Sequence, residues 1–186
     1  MILLVQYTSY ISPILLLYLI LQVVSDKISE YTMAQDSKTV LDLGCGDGLV
    51  GEALSCRGFS RITGLDIAEK MLEVAAGRGV YQELKQADLM KTLPVESATF
   101  DIVSCVGTST YLSPTVMGEW LRVVKEGGVV AFTHKTAVLE EWEKEQDKLE
   151  QEGRWKNVFR SDPLCYLPGL VHPALERVTV FIYRKL

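Results

Sequence analysis

The sequence predicts an α/β fold, in which a mostly parallel sheet carries helices on both of its faces. Short apolar runs alternate with helical patterns along most of the chain, which is typical of successive strand–helix–strand units. Three successive runs end in an aspartate, at Asp42, Asp66 and Asp88. Because the carboxyl ends of parallel strands lie along one edge of a sheet, these acids predict a ligand site at that edge. The alternative is chance, since Asp is common directly after strands.

Length, composition and charge limit the classes of function. The chain has 186 residues, of which 48% are hydrophobic, and this suits one globular domain with a sizeable core. Its net charge is −5 at pH 7 and no run of Lys or Arg occurs, so nucleic acid is not expected as a direct partner. Widely spaced cysteines without a CxxC pair, and only two histidines, predict reduced thiols in a cytoplasmic protein and no metal site.

The apolar start of the chain raises the question of a membrane helix, because residues 1–24 contain no charged side chain. Against a membrane helix, the unbroken apolar run Ile14–Leu21 is too short to span a bilayer and Pro13 interrupts the stretch. We therefore predict a helix with Ser12 as its N-cap and Pro13 at its first position, packed against the sheet. A polar connection, Ser25–Lys38, is expected to follow. Membrane association through residues 1–24 is the alternative.

The stretch Thr39–Leu54, TVLDLGCGDGLVGEAL, predicts a strand, a tight loop and a helix. Gly44, Gly46 and Gly48 can take positive φ and carry no Cβ. Backbone N–H groups and a helix N-terminus can therefore come close to a nucleotide-like ligand. Asp42, at the mouth of the strand, adds a fixed negative charge.

A second pattern is hidden in the same stretch, because Gly46, Gly48 and Gly51 spell G-x-G-x-x-G, which is typical of dinucleotide binding. That register makes Thr39–Cys45 the strand and buries Asp42 inside a parallel sheet, which is costly unless the carboxylate is paired. We therefore favour a register that leaves Asp42 at the exposed end. Binding of a nicotinamide or flavin cofactor is the lesser alternative.

The next two strands repeat the acidic ending. The second strand, Arg61–Leu65, ends at Asp66, whose carboxylate is well placed to accept hydrogen bonds from two ribose hydroxyls. Its other interpretation is an N-cap of the following helix, with Glu69 completing a capping box, and both roles can hold at once. A third strand around Glu83–Ala87 ends at Asp88.

The rest of the chain completes the sheet. A helix is predicted to begin with Ser113 as its cap and Pro114 as its first residue, and to end at Gly127-Gly128. A charged helix is predicted over Thr136–Glu152. The remaining predicted strands are Phe100–Val106, Val129–Thr133 and an antiparallel closing pair, Trp155–Arg160 and Arg177–Tyr183. The Asp162–Pro173 loop either borders a substrate pocket or is an ordinary connection.

Four segments together resemble the class I methyltransferases, which use S-adenosylmethionine. LDLGCGDG is similar to their glycine-rich motif, GLDIAEKML to their ribose-binding segment, QADL to their adenine-edge segment and LRVVKEGGVVAF to their helix-to-fifth-strand signature. A closer resemblance, to the methyltransferase-like proteins of the Williams–Beuren syndrome region, includes YISP, VGTSTYL and EQEGRWKNVFRSDPLCYLPGL. It covers nearly the whole chain.

The resemblance implies a Rossmann-like fold with a seven-stranded, mostly parallel sheet, helices on both faces and an antiparallel last strand. Residues 39–186 are then the methyltransferase domain, and residues 1–38 are an N-terminal helical segment. We expect this segment to be a truncated form of the lid that covers the cofactor in that family. A cofactor-binding protein without catalysis is therefore the alternative function.

The resemblance also implies the roles of individual residues toward S-adenosylmethionine. Asp66 takes the ribose hydroxyls, and Ile67 and Met71 flank the adenine, although core packing is an equal alternative for Met71. Asp88 accepts a hydrogen bond from the exocyclic amine. The implied cofactor-binding residues are Asp42, Gly44, Cys45, Gly46, Gly48, Asp66, Ile67, Met71, Asp88, Leu89 and Cys105, with Val106 as the alternative to Cys105 on the sulfonium side.

Catalysis is expected to need little from the side chains. Displacement of a methyl group from a sulfonium neutralises charge, so proximity, alignment and desolvation supply much of the acceleration. His134, just past the fifth strand, is a weak candidate for an acceptor-side base, and a surface or loop histidine is the favoured interpretation. No Asn/Asp-Pro-Pro-Tyr/Phe segment follows the fourth strand, which argues against adenine or glutamine methylation. A small-molecule acceptor is expected.

Overall fold

A twisted sheet lies at the centre of the computed structural model, which describes residues 13–33, 35–136, 139–165 and 177–186. The helices are α1 Pro13–Tyr31, α2 Leu49–Ser55, α3 Glu69–Ala76, α4 Met117–Val123 and α5 Leu139–Gln151. The strands are β1 Thr39–Leu43, β2 Arg61–Asp66, β3 Glu83–Gln86, β4 Phe100–Cys105, β5 Val124–Lys135, β6 Trp155–Arg160, β7 Leu164–Cys165 and β8 Arg177–Lys185. Short 3-10 turns lie at Gln35–Ser37, Ser109–Tyr111 and Pro114–Val116.

The strand order confirms the predicted architecture. Seven strands follow the order β3-β2-β1-β4-β5-β8-β6, and the two-residue strand β7 pairs with β8. Strands β1 to β5 pair in parallel, whereas β8 is antiparallel to both β5 and β6. The chain order reverses between β1 and β4. In open α/β sheets, ligands bind at the carboxyl ends of the strands on either side of such a switch point.

Both faces of the sheet are buried under helices. On one face α1 and α2 pack over an aliphatic cluster, and on the other α4 and α5 pack over an aromatic cluster. Trp120, Trp142 and Trp155 of the aromatic cluster surround Phe132, with ring centroids 5.4 to 6.4 Å from its own. Complete burial of one such side chain stabilises the fold by roughly 1.5–3 kcal/mol. The two clusters therefore pack both faces of the sheet, and the loops project from this packed core.

Helix α1 is longer than predicted. The expected polar connection from Ser25 is wrong, because the helix runs on to Tyr31. Val24 and Ile28 lie one turn apart on the apolar face of the helix and are fully buried. Their packing in the aliphatic cluster stabilises the helix beyond Ser25. Ser25 is accommodated because its hydroxyl donates to the carbonyl of Leu21 at 2.5 Å. The predicted N-cap, Ser12, lies outside the described residues.

The helix does pack against the sheet, as predicted, since its buried side chains belong to the aliphatic cluster with residues of β5 and β8. Within the ranges that the structure describes, none of the helices combines the length and the apolar character that crossing a membrane requires.

The junction between α4 and β5 also differs from the prediction. Helix α4 ends at Val123, and the strand begins at Val124 rather than after Gly127-Gly128. The two glycines form an irregularity within the strand, where Gly127 has φ of 72°. The pairing of β4 with β5 passes there from Phe100–Val124 to Ile102–Val129. Glycines that were expected to end a helix therefore lie at a register shift inside the strand.

Candidate active site

A cavity of about 200 Å³ lies at the switch point between β1 and β4. Its floor is formed by residues 44–47 of the glycine loop after β1 and by Leu49 and Val50 at the start of α2. Val106–Thr108, directly after β4, and Thr133 of β5 form one wall, and side chains of α1 form the other. The glycine loop, the segment after β4 and the N-terminal helix therefore meet at a single site.

The glycine loop is held by its own backbone. Gly44, Gly46 and Gly48 have φ of 68°, 53° and 88°, in the left-handed region that glycine favours. The N–H groups of Gly44 and Cys45 both donate to the carbonyl of Leu65, at 2.7 and 3.0 Å, and that of Gly48 donates to Cys45 at 2.9 Å. These three N–H groups are therefore used within the chain and hold the loop in shape.

Asp42 is buried, and the expectation that it lies at the exposed end of the strand is wrong. Its side chain is 1% exposed, and the residue lies inside β1, which continues to Leu43. The hydroxyls of Tyr81 and Ser104 donate to its carboxylate at 2.8 and 2.9 Å. Burial raises the pKa of Asp42 to about 6, the two hydroxyls oppose this rise, and the charge of Asp66 adds to it. Because hydroxyls pair the carboxylate, its burial does not argue against the dinucleotide register.

Tyr81 is a site residue that the sequence did not reveal. It precedes β3, and its hydroxyl both donates to Asp42 and accepts from the N–H of Gly51 at 3.2 Å. A Cβ on Gly51 would overlap the Tyr81 ring, so only glycine allows this approach. Tyr81 therefore fastens β1 to α2 on either side of the glycine loop. The available signal was Gly51 itself, a glycine inside a helical pattern.

Asp66 ends β2 and holds the next part of the loop. Its two carboxylate oxygens accept from the N–H of Gly46 at 2.8 Å and from the N–H of Ala68 at 2.9 Å. The predicted capping box is wrong, because the N-cap of α3 is Ala68 and no side chain caps the helix. Each oxygen of a carboxylate has a second lone pair, so Asp66 can accept further hydrogen bonds from a ligand.

The edge beyond Asp66 is apolar and exposed. Ile67 is 64% exposed and Met71 46%, so the core-packing alternative for Met71 is wrong. Leu89, by contrast, is buried. Asp88 accepts from the N–H of Met90 at 3.0 Å and forms an ion pair with a neighbouring lysine, and these contacts lower its pKa in that order. Exposed apolar side chains beside a carboxylate suit a planar base with a polar edge.

The structure distinguishes between Cys105 and Val106, the two candidates for the residue on the sulfonium side. Val106 lines the cavity, whereas Cys105 is fully buried in the aromatic cluster on the other face of the sheet. Burial also raises the pKa of the Cys105 thiol. Cys45 lies at the cavity, as predicted, and burial raises the pKa of its thiol to about 12.

A family profile for the methyltransferase domain matches residues 41–132. This range contains the last three residues of β1, the glycine loop, Asp42, Asp66 and Asp88, and the cavity wall after β4. The chain belongs to the class I methyltransferases. Its cofactor is S-adenosylmethionine, and the resemblance inferred from the sequence motifs is confirmed.

Relatives and solved structures agree with this assignment. The methyltransferase is 37% identical over 129 residues to human methyltransferase-like protein 27, covering 66% of this chain and 53% of that protein. It is 33% identical over 113 residues to a ubiquinone biosynthesis O-methyltransferase of Nitrosomonas europaea, covering 57% of this chain and 47% of the relative. It therefore spans about half the length of these two relatives.

A structure of an S-adenosylmethionine-dependent methyltransferase from Mesorhizobium loti superimposes with a TM-score of 0.66 and 16% identity, over 86% of this chain and 96% of that one. At this identity the likeness shows the fold alone.

The residues of the site fit the cofactor. Nothing lies within 4 Å of the position that a Cβ on Gly46 would occupy, so the loop leaves open space at the cavity. The cavity of about 200 Å³ is smaller than most pockets that enclose a whole ligand. The exposed edge of Ile67 and Met71 extends the site beyond Asp66.

His134 does not lie where either interpretation placed it. Strand β5 extends past Thr133 to Lys135, so His134 is inside the strand and fully buried. Its ring centroid is 3.7 Å from that of Trp142 in the aromatic cluster. Burial lowers the pKa of His134 to about 3, which leaves the imidazole neutral. Since Thr133 lines the cavity and side chains alternate along a strand, His134 points away from it.

A larger cavity, of about 620 Å³, opens at the opposite edge of the sheet. It lies at the amino ends of β1 and β2, beside Thr39 and Arg61, and includes the opposite charges of Glu83 and Lys85. Ligands of open α/β sheets bind at the carboxyl ends, so its position argues against a catalytic role. Among the described residues, no group of three His, Cys, Asp or Glu side chains could hold a metal ion.

Proposed function

We propose that the methyltransferase moves a methyl group from S-adenosylmethionine to a small-molecule acceptor by in-line displacement. The observation that carries this proposal is the cavity at the switch point, which joins the glycine loop to the segment after β4. The relative from Nitrosomonas europaea supports a small acceptor, because its name places it in O-methyl transfer during ubiquinone biosynthesis.

The residues that would hold the cofactor lie in chain order along the edge. Gly44 and Gly46 would contact the methionine end through their backbone. Asp66 would accept hydrogen bonds from the ribose hydroxyls with its remaining lone pairs. Ile67 and Met71 would cover the faces of the adenine. Farther along, the residues after β3 would bind its polar edge, Asp88 through its carboxylate and Leu89 through its backbone N–H.

Two hydroxyls beside the cavity are already hydrogen-bonded within the chain. Thr108 donates its hydroxyl to the carbonyl of Gly44 at 3.1 Å, and the hydroxyl of Thr133 accepts from the N–H of Gly107 at 2.9 Å. The raised pKa of the Cys45 thiol keeps it protonated and unreactive at neutral pH. Neither these hydroxyls nor the thiol therefore acts as a general base in this proposal.

The chain would then act by positioning the reactants and excluding water. When bound, the cofactor would supply an electrophilic methyl group on a sulfonium: the acceptor atom would bond to the methyl carbon in line while the carbon–sulfur bond breaks, and neutral S-adenosylhomocysteine would leave. Leu17, Ile20 and Leu21 of α1 present an apolar wall to the cavity. Asp47, the carboxylate at the cavity floor, is ion-paired with Arg78 at 3.0 Å. An apolar wall and paired charges favour desolvation of the reacting groups.

A screen of small-molecule and protein acceptors, with cofactor labelled in the transferred methyl group, tests the proposal. We expect label in a small-molecule product. An Asp66→Asn variant should lose about tenfold in rate at low cofactor concentration, because a charged hydrogen-bond acceptor is removed. Glu96→Gln, at the opposite cavity, is the control and should keep the full rate. Cofactor binding without label in any acceptor would favour binding without catalysis.

We also propose a cytoplasmic location, supported by the free cysteines Cys45, Cys56 and Cys105 among the described residues. Fractionation of cells that express the chain with and without residues 1–24 tests it. A membrane pool that disappears on truncation would contradict the proposal and favour anchoring through the apolar start.

A further inference from the structure

The loop after β4 presents an exposed aromatic ring at the carboxyl edge of the sheet. Tyr111 is 75% exposed, although it belongs to the Ser109–Tyr111 turn that directly follows the cavity wall. Large aromatic side chains usually bury most of their surface in cores or interfaces. The exposure of Tyr111 beside a ligand cavity therefore indicates a surface that is available to a ligand.

Tyr111 is held next to Lys135 by contacts between the turn and β5. The hydroxyl of Ser109 donates to the carbonyl of Thr133, and the N–H of Lys135 donates to the hydroxyl of Thr110 at 3.4 Å. The Nζ atom of Lys135 lies 5.6 Å from the centroid of the Tyr111 ring, which is within the range of a cation–π contact. The ring and the ammonium group therefore form one unit.

The direction of Lys135 follows from the alternation of side chains along β5. Thr133 lines the cavity, and Lys135 is two residues farther along the same strand and on the same face. Two residues of a strand advance the chain by about 6.6 Å. Tyr111 and Lys135 therefore lie just outside the cavity, at its rim on the side of β4 and β5.

Lys135 has no carboxylate partner among the residues that the structure describes. Among the ion pairs of the described residues, Lys135 takes part in none. Arg78, by contrast, is paired with Asp47 of the cavity floor and with Glu52. An unpaired ammonium beside an exposed aromatic face suits a planar ligand that carries a negative charge.

We propose that Tyr111 and Lys135 form the acceptor-binding rim of the site and select a planar acceptor with an anionic substituent, a carboxylate or a phosphate. The planar part stacks on Tyr111 while the anion pairs with Lys135. This inference deepens the proposed function and rests on it, since the acceptor has to lie beside the cofactor cavity.

Binding of matched probes to the methyltransferase loaded with S-adenosylhomocysteine tests the inference. The probes are 4-hydroxybenzoate and phenyl phosphate as anions, and 4-hydroxybenzamide as the neutral counterpart, titrated by calorimetry. We expect each anion, or one of the two, to bind about tenfold more tightly than the benzamide. The anion that binds more tightly, 4-hydroxybenzoate or phenyl phosphate, shows whether the acceptor carries a carboxylate or a phosphate.

Variants assign this selectivity to the rim. Lys135→Ala should abolish the preference for anions and leave the affinity for S-adenosylhomocysteine unchanged, whereas Lys135→Arg should retain the preference. Lys156→Ala removes an exposed lysine from β6 and is the charge-matched control. Tyr111→Leu should weaken all three probes about fivefold, because the stacking surface is lost.

Three outcomes would overturn the inference: equal binding of the benzamide and both anions, an anion preference that survives Lys135→Ala, or a loss of cofactor affinity in that variant. The last outcome would mean that Lys135 holds the cofactor. Failure of the proposed function is distinguishable, because the protein would then not bind S-adenosylhomocysteine in the loading step, before any probe is added.

Discussion

The two halves of the site are built in different ways. In the cofactor half, Asp42 and Asp66 are hydrogen-bonded to hydroxyl and backbone donors, which hold the glycine loop in one shape. In the acceptor half, α1 lines the cavity with apolar side chains, Tyr111 is exposed, and Lys135 forms no ion pair with another described residue. The first half is preorganised before the ligand arrives, and the second leaves its recognition groups free. Substitutions should therefore cost folding stability in the cofactor half and affinity alone in the acceptor half.

The largest effect is expected at Gly44. Its φ of 68° disfavours any side chain, and a Cβ would overlap the side chain of Thr108. Gly44→Ala should therefore lower the free energy of unfolding by about 3–4 kcal/mol, from backbone strain and overpacking together. Urea denaturation measures this loss.

Gly46→Ala is the matched control, since it has φ of 53° but open space around the added methyl group. It should lower the free energy of unfolding by only about 1–2 kcal/mol, while weakening cofactor binding because the methyl group enters the cavity. Equal losses of stability in the two variants would contradict the close packing of Gly44 against Thr108.

The next effect concerns the pH dependence of stability. The pKa of Asp42 is raised from 3.8 to about 6 in the folded chain. The folded state therefore binds a proton more tightly than the unfolded state, and this contribution to stability is lost as pH rises from about 4 to 6. The loss is on the order of 3 kcal/mol.

Asp42→Asn removes this titration. Denaturation midpoints measured between pH 4 and 7 should show a smaller decline with pH in the variant than in the wild type. The groups around the carboxylate are Tyr81, Ser104 and Asp66, with the Cys45 and Cys105 thiols nearby. Identical pH profiles for the two proteins would contradict the burial of a titrating Asp42.

A smaller effect is expected from removal of a single hydroxyl. Tyr81→Phe deprives Asp42 of a donor and Gly51 of an acceptor, and should cost about 1–3 kcal/mol of stability. It should also weaken cofactor binding about tenfold, because the glycine loop loses the hydrogen bonds that link β1 to α2 on either side of it.

Tyr183→Phe is the matched control, since the Tyr183 hydroxyl donates to Gln146 at 2.8 Å in the aromatic cluster. It should lower the stability similarly and leave cofactor binding unchanged. Calorimetric titration separates the two variants. If both weakened cofactor binding to the same extent, Tyr81 would have no particular role in positioning the loop.

The smallest effect on folding is expected in the acceptor half. Tyr111→Ala removes a ring that is 75% exposed, so the free energy of unfolding should change by less than about 0.5 kcal/mol. Cofactor affinity should also stay the same, whereas the Michaelis constant for the acceptor should rise. A drop in melting temperature comparable to that of Tyr81→Phe would remove the contrast between the two halves.

Local patterns predicted most of the fold. The strands and helices around Thr39–Leu54 follow from apolar periodicity and glycine positions, and the acids at Asp66 and Asp88 lie at the predicted edge. The sheet order followed because parallel strands with crossover helices allow few arrangements. Helix α1 was predicted too short, because burial of Val24 and Ile28 against the sheet outweighs the polar residues around them.

Contacts between distant residues were not predictable. The burial of Asp42 depends on Tyr81, which is 39 residues away, and no local pattern links the two. His134 was misplaced because pairing with Thr179 of β8 extends β5 beyond its apolar run. Val106 rather than Cys105 lines the cavity because side chains alternate at the end of β4, and the sequence did not fix that register.

The central claim is that the edge formed by the glycine loop and Asp66 binds S-adenosylmethionine, and calorimetric titration tests it most directly. The wild type should bind one equivalent of S-adenosylmethionine and bind NAD far more weakly, and Asp66→Asn should weaken S-adenosylmethionine about tenfold. Tighter binding of NAD, or affinity for S-adenosylmethionine that is unchanged in Asp66→Asn, would contradict the account.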